Sequence, residues 1–461
     1  MARPATLLLY ITVTLTLFSC AHKNQQKTHL NDYPLNLAVK KVTLSNGLRV
    51  LIHENHKLPI FSYYTFFDVG GRYEKPGTTG ASHFLEHLMF KGAKKYGAGK
   101  FDTIIEGNGG STNAYTTVDS TVYYENLPTK NLDIIIDMEA DRMVNLLLDP
   151  VAFEKEREVV LEERKFRYEN SPRGKLYQQM MRAVFAKTPY GGSVIGDVAD
   201  LKSLSRDQVM QYFKKFYAPN NAIIVIVGDV DADETIMKIE KKFGALPAST
   251  AMLALKKELD QPQLYRHQGV YKREIKSYGT SPTPIFMLAY KGEPLGTYKS
   301  FVMDMLSSIL GDGQSSYLTQ KYIKGKRPLL NNINVANYNL KYSGVFFLSG
   351  ELLAKTNYKR FKKNLLRETR KMCKTAITER TLQKTKNQYL IGYYRDIQSN
   401  AGVARFLGMR ENFYNDYSYY KKELDIYNKI TVQEVKDVCH EIFDKQEYIL
   451  VSLWDKYKKK K

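Results

Sequence analysis

The sequence predicts an α+β protein of two homologous domains, each a mostly antiparallel sheet with helices packed on one face. Three observations lead there. The chain has 461 residues, more than one hydrophobic core usually serves. Its 43% hydrophobic and 25% charged content is that of a globular chain, not a disordered one. And one stretch is written twice. "LSRDQVMQYFKKFYAPNNAIIVIVGD", Leu204 to Asp229, returns as "ITVQEVKDVCHEIFDKQEYILVSLWD", Ile430 to Asp455, at an offset of 226 residues without a gap.

Each copy reads as a capped amphipathic helix, a turn and a short buried strand. Ser205 with Gln208, and Thr431 with Glu434, have the spacing of a capping box. Val209 aligns with Val435, Ile223 with Ile449, and Asp229 with Asp455. The tripeptide "PIF" also recurs, at Pro59 and Pro284. Two matches at nearly one offset imply a duplicated unit. Strand-like segments "GLRVLIHEN", "IFSYYTFFDVG" and "STVYYENL" alternate with helices around His83–Phe90, Leu132–Leu148 and Val151–Tyr168. Neighbouring strands close in sequence favour antiparallel pairing. The first domain is placed at 33–248, a linker at 249–265 and the second domain at 266–461.

The net charge is +21, but it is spread along the chain, and the one basic run, "KYKKKK", closes the sequence. No helix-turn-helix, zinc-knuckle or RNA-binding pattern accompanies it, so no nucleic-acid partner is expected. The first 20 residues, with Arg3 and an apolar run from Leu7 to Phe18, have the make-up of a secretory signal. They end in "LFSC", which resembles a bacterial lipoprotein lipobox with Cys20 as the lipidated residue. The alternative is an ordinary signal or an uncleaved anchor. Residues 21–32 would be a tether. Ala21 rather than aspartate after the cysteine leans toward the outer membrane, on its periplasmic face. Cys373 and Cys439 then remain, and two scattered cysteines suggest neither a disulfide framework nor a zinc–thiolate site.

The chemistry is concentrated in "HFLEH", His83 to His87. On a helix, residues four apart share a face, so both imidazoles can grip one Zn²⁺. Glu86 sits at the edge of that face, where a carboxylate can take a proton from water attacking a peptide carbonyl. The bland alternative is a helix with three surface polar groups, against which the surrounding "GASHFLEHLMFKG" is apolar and glycine-rich. A third ligand is sought in "AFEKEREVVLEERKFRYE". Lys155, Glu158, Glu162, Lys165 and Glu169 form a charged stripe, the expected solvent face. Phe153, Glu156, Val159, Val160, Glu163 and Phe166 form the opposite, buried face. A carboxylate there needs a cation. Glu163 is thus the expected third zinc ligand, and Glu156 the residue that orients a liganding histidine. For Glu156 the alternative is a partly exposed salt bridge.

These motifs, with Glu163 76 residues after His87 and with "GNGGSTNAYTTVDSTVYYENLP", "EREVVLEE" and "YAPNNAIIVIVGD", resemble the pitrilysin/insulinase family of zinc metallopeptidases. The similarity is to its short, two-domain bacterial and mitochondrial-processing branch. The resemblance implies a catalytic first domain and a degenerate second one. It also implies a peptide or unfolded polypeptide substrate, added as a strand at Asn113, Ala114 and Tyr115. Family second halves often contribute an arginine and a tyrosine. Here Ile323 and Leu330 stand in those places, and Arg327 is out of register. The resemblance therefore implies a heterodimer with a zinc-less homologous subunit. The other possibility is that Arg327, Tyr317 or Tyr322 serves within this chain or a homodimer. The expected function is a zinc endopeptidase anchored at the bacterial cell envelope. The alternative is a non-catalytic subunit or scaffold of an envelope peptidase complex.

Overall fold

In the computed structural model, residues 35–268 and 271–455 are described. The expected signal, the tether, Cys20 and the terminal lysines lie outside them. Among the described residues, no helix is long and apolar enough to cross a membrane.

The first sheet contains β1 (Lys40–Thr43), β2 (Arg49–Glu54), β3 (Ile60–Phe67), β4 (Ser111–Thr116), β5 (Thr121–Pro128) and β6 (Ala222–Gly228), in the order β1-β2-β6-β3-β5-β4. Only β2 and β6 pair in parallel. The second sheet contains β7 (Arg273–Gly279), β8 (Ile285–Gly292), β9 (Leu330–Asn339), β10 (Gly344–Leu352) and β11 (Ile449–Asp455), in the order β7-β11-β8-β10-β9. Here only β7 and β11 are parallel. With β1 set aside, the two orders are the same. The duplicated stretch has the same form in both halves. Helices Arg206–Phe216 and Val432–Asp444 each open on a complete capping box and lead to β6 and β11.

The two halves exchange a helix. Pro172–Val184, from the first half, lays Leu176, Met180 and Val184 against Ile285, Val345 and Val451 of the second sheet. Asn400–Tyr414, from the second half, lays Val403, Phe406 and Leu407 against Tyr64, Phe66 and Val225 of the first. The two are counterparts: Ser171 caps one through Gly174 N, and Ser399 caps the other through Gly402 N. Each sheet thus has its own helices on one face and the other half's helix on the opposite face. This explains the unbroken apolar run of β6. Ile224 and Ile226 face the first core while Ile223, Val225 and Val227 face the exchanged helix. Each such side chain contributes about 1.5–3 kcal/mol on burial.

Two expectations are corrected, and one segment gains a local structure. Cys373 and Cys439, read as unlinked, form a disulfide with their Cα atoms 5.5 Å apart. They lie on helices Tyr358–Thr375 and Val432–Asp444, whose packing brings together residues 66 apart in sequence. The segment read as a linker, 249–265, is largely helix Thr250–Leu259. It docks through Lys256 on Asp68 at 2.6 Å and through Asp260 on Arg72. Lys341 of the second half reaches Asp68 at 3.1 Å, so one buried charge network ties both halves to this helix. Finally, the buried face of helix Pro150–Arg164 is rotated from expectation. Val159 and Phe166 are 50% and 75% exposed, while Arg157 and Arg164 are buried. Both arginines turn inward because carbonyls receive them, Leu204 O for Arg157 and Gly196 O for Arg164, each at 2.8 Å.

Candidate metal centre

Two helices and one strand make the site. Helix Ala81–Leu88 is apolar on its inner side, where Phe84, Leu85 and Leu88 are buried. Its N-terminus has no side-chain cap of its own. Instead Glu74, from the preceding loop, accepts Gly80 N at 2.6 Å and Ser82 N at 2.8 Å. This satisfies amides that a helix start leaves unpaired. Burial nevertheless pushes the Glu74 carboxyl up to about 7.

From this helix His83 and His87 meet Glu163 of helix Pro150–Arg164. One ligand atom from each lies within 4.8 Å of the others. Nε2 of His83 is 3.6 Å, and Nε2 of His87 is 3.3 Å, from Glu163 Oε2. A tetrahedral zinc about 2.0–2.1 Å from each ligand would separate them by about 3.4 Å. Glu163 Oε2 is buried without a hydrogen-bond partner, as is Nδ1 of His83. The donor set and the orphaned Oε2 of Glu163 fit a divalent zinc ion.

The surrounding residues fix these groups. Glu156 Oε1 accepts from Nδ1 of His87 at 2.8 Å, and its Oε2 is 2.8 Å from Lys91 Nζ. Arg167 Nε holds Glu163 Oε1 at 2.8 Å. The helix passes into a π-helical turn, Lys165–Glu169, just after Glu163, and this turn carries Arg167. Burial, with the neighbouring His87, pushes His83 down to about 4, so it is neutral at pH 7. At His87 burial acts against the charge, but Glu156 and Glu163 outweigh it and push the imidazole up to about 9. Burial also raises Glu163, yet His87, His83 and Arg167 outweigh it and hold this carboxyl below its usual range.

Glu86 is buried beside the cluster, and Thr116 of β4 donates to its Oε2. Burial raises its pKa in spite of that bond. A cleft of about 570 Å³ joins His83, Glu86, His87 and Glu163 to Asn113, Ala114 and Tyr115 of β4. β4 ends the first sheet, so among the described residues its outer side pairs with no strand. Asn113 Oδ1 accepts Ala114 N at 2.8 Å, and the Tyr115 ring packs toward the exchanged helix.

Residues 49–198 match the family model described as Insulinase (Peptidase family M16), and residues 203–389 match the Peptidase M16 inactive domain. Zinc protease PqqE of Helicobacter pylori is 30% identical over 375 residues, covering 79% of this chain and 81% of its own. The chain belongs to the M16 (insulinase) family. A second M16-like relative, mitochondrial-processing peptidase subunit beta of Lentinula edodes, is 27% identical over 79% of each chain. A crystal structure of a protease from Helicobacter pylori superposes with a TM-score of 0.84 at 27% identity. It covers 91% of this chain and 100% of that one.

The match to an inactive M16 domain agrees with the second half. None of its described residues lines the cleft. Tyr322 is buried on Asn364, and Tyr317 bonds to Glu368. Leu330 is buried at the start of β9, and Arg327 is exposed. Sequence reasoning missed Glu74, Lys91 and Arg167. Only Arg167 had a local signal, its four-residue spacing from Glu163.

Proposed function

We propose that this chain is a zinc-dependent endopeptidase acting on peptides or unfolded protein segments. The observation that carries the reading is the meeting of three ligand atoms within 4.8 Å with Glu86 beside them, along an unpaired sheet edge. Relatives named zinc proteases support it.

His83, His87 and Glu163 would hold the metal. Bound zinc supplies a Lewis acid that polarises the peptide carbonyl and acidifies water. Glu86 accepts a proton from the attacking water and returns it to the leaving amine; its raised pKa suits both steps. Thr116 keeps one oxygen of Glu86 fixed while the other exchanges the proton. Glu156 holds Nδ1 of His87, which leaves Nε2 for the metal. β4 orients the substrate as an added strand. A purely scaffolding subunit has no use for Glu86 in this position.

The reading extends to a lipid anchor at Cys20 on the periplasmic face of the outer membrane of a bacterial cell envelope. The Cys373–Cys439 bond supports an oxidising compartment. Cys20→Ala should release the protein into a soluble envelope fraction; retention on membranes after a salt wash would count against the anchor.

A partner completes the site in this reading. The cleft takes no arginine or tyrosine from the second half, so a zinc-less homologous subunit would supply the oxyanion donors. Relatives include a protein named as a subunit of a processing peptidase. The test is to load the purified chain with zinc and assay it on unstructured peptides. Weak turnover that rises about 10²–10³-fold with a zinc-less homologue supports the heterodimer. Full turnover alone, lost on Arg327→Ala, contradicts it.

A further inference from the structure

Helix Tyr358–Thr375 of the second half divides its circumference in two. On one side Phe361, Leu365, Met372 and Cys373 are buried in the second core. Its one acid, Glu368, is buried too, and is held by Tyr317 at 2.6 Å and Lys321 at 2.7 Å. On the other side, at about 100° per residue, Lys359, Arg360, Lys363, Arg367, Arg370, Lys371 and Lys374 fall within an arc of about 120°. No other residue of the helix falls in that arc. All of these cations are exposed. Among the described residues, none of their side chains makes a hydrogen bond or ion pair. They extend over about 22 Å of helix.

The basic run that closes the sequence is attached beside this face. Trp454, near the end of β11, packs edge-on against Tyr358 at the start of the helix, with ring centroids 4.5 Å apart. "KYKKKK" begins two residues later, at Lys456. Its lysines are thus joined to the second sheet next to the end of the helix that bears Lys359.

We infer that this face docks on a membrane surface of anionic phospholipid headgroups. The chemistry selects the occupant. Cations in this number, with no acid between them, are attracted to a dense anionic plane. A single-stranded nucleic-acid site would interleave aromatic side chains for stacking, and the arc has none. A protein interface would centre on an apolar or aromatic anchor, and the arc has none of those either. The N-terminus favours the same surface. Cys20, the expected lipidation site, lies 15 residues before Leu35, a stretch that reaches at most about 50 Å. A polybasic face is a usual second signal that makes a lipid anchor hold. The inference goes beyond the peptidase reading and does not depend on turnover.

The test uses the full chain carrying Cys20→Ala, so that no acyl group contributes. Sedimentation measures its binding to vesicles of phosphatidylcholine, with or without about 30% phosphatidylglycerol. Binding should need the anionic lipid and fall steeply between about 50 and 500 mM salt. Lys363→Gln/Arg367→Gln/Arg370→Gln should weaken it about 100-fold. These side chains have no partners to lose, and circular dichroism checks that the variant is folded. Lys202→Gln/Lys214→Gln/Lys241→Gln removes the same charge from exposed lysines of the first half and should change binding less than about threefold. Equal loss in the two triple variants overturns the inference, because net charge alone would then account for the binding. Binding to phosphatidylcholine alone that survives salt overturns it as well. So does binding of polyglutamate that depends on the helix while vesicles are left unbound, which would mark an acidic protein partner instead.

Discussion

Nδ1 of His87 lies 2.8 Å from Glu156 Oε1, and this contact decides which ring nitrogen faces Glu163. Glu156→Ala frees the ring to rotate and strands Lys91 beside it. Zinc affinity should fall about 10–100-fold, the usual cost of losing such a partner. Competition with a chelator, read by metal analysis, checks it.

Neighbouring glutamates should behave in opposite ways. Glu162 is exposed and pairs with Lys165 at 3.2 Å, a contact worth little. Glu162→Ala should be silent in zinc content and turnover. Glu163→Ala removes the proposed third ligand and should abolish tight zinc retention. The two variants, assayed side by side, settle the rotation of the helix.

Glu74→Ala leaves Gly80 N and Ser82 N without their acceptor and should cost about 1–3 kcal/mol. A pH dependence accompanies it. Burial raises Glu74 from 4.5 to about 7 in the folded chain. The extra stability tied to this shift is therefore present below about 4.5 and lost as pH rises through about 7. Denaturant titrations should show the difference between wild type and Glu74→Ala narrowing over that window. A difference that widens would reverse the sign.

Gly408, on the exchanged helix, faces Phe66 of β3, and a Cβ there would fall 2.1 Å from the ring. Phe66 is fully buried and has no room to retreat. Gly408→Ala should cost about 1–3 kcal/mol through overpacking. Thermal unfolding checks it, with Gly392→Ala as the control, since a Cβ at Gly392 meets nothing within 4 Å.

The duplicated capped helix and strand, and the zinc helix, were legible because their signals are local. A capping box, an apolar run and a four-residue spacing each lie within one element. Cys373 with Cys439, Asp68 with Lys341, and the helix exchange were not, because each joins residues distant in sequence. Val159 and Phe166 misled for a related reason. Apolar periodicity placed them inward, but the buried stripe passes instead through Arg157 and Arg164, whose carbonyl partners lie 32–47 residues away. Glu74 escaped notice as a loop acid three residues before the glycine–threonine turn that starts the zinc helix.

The most direct test is Glu86→Gln, measured for bound zinc and peptide turnover in one preparation, with the partner subunit present if activity requires it. The side chains of Glu and Gln are nearly isosteric, so the three ligands keep their places while the proton acceptor is lost. The account predicts full zinc content with turnover down by at least about 10²-fold. Near-normal turnover with zinc intact would contradict it.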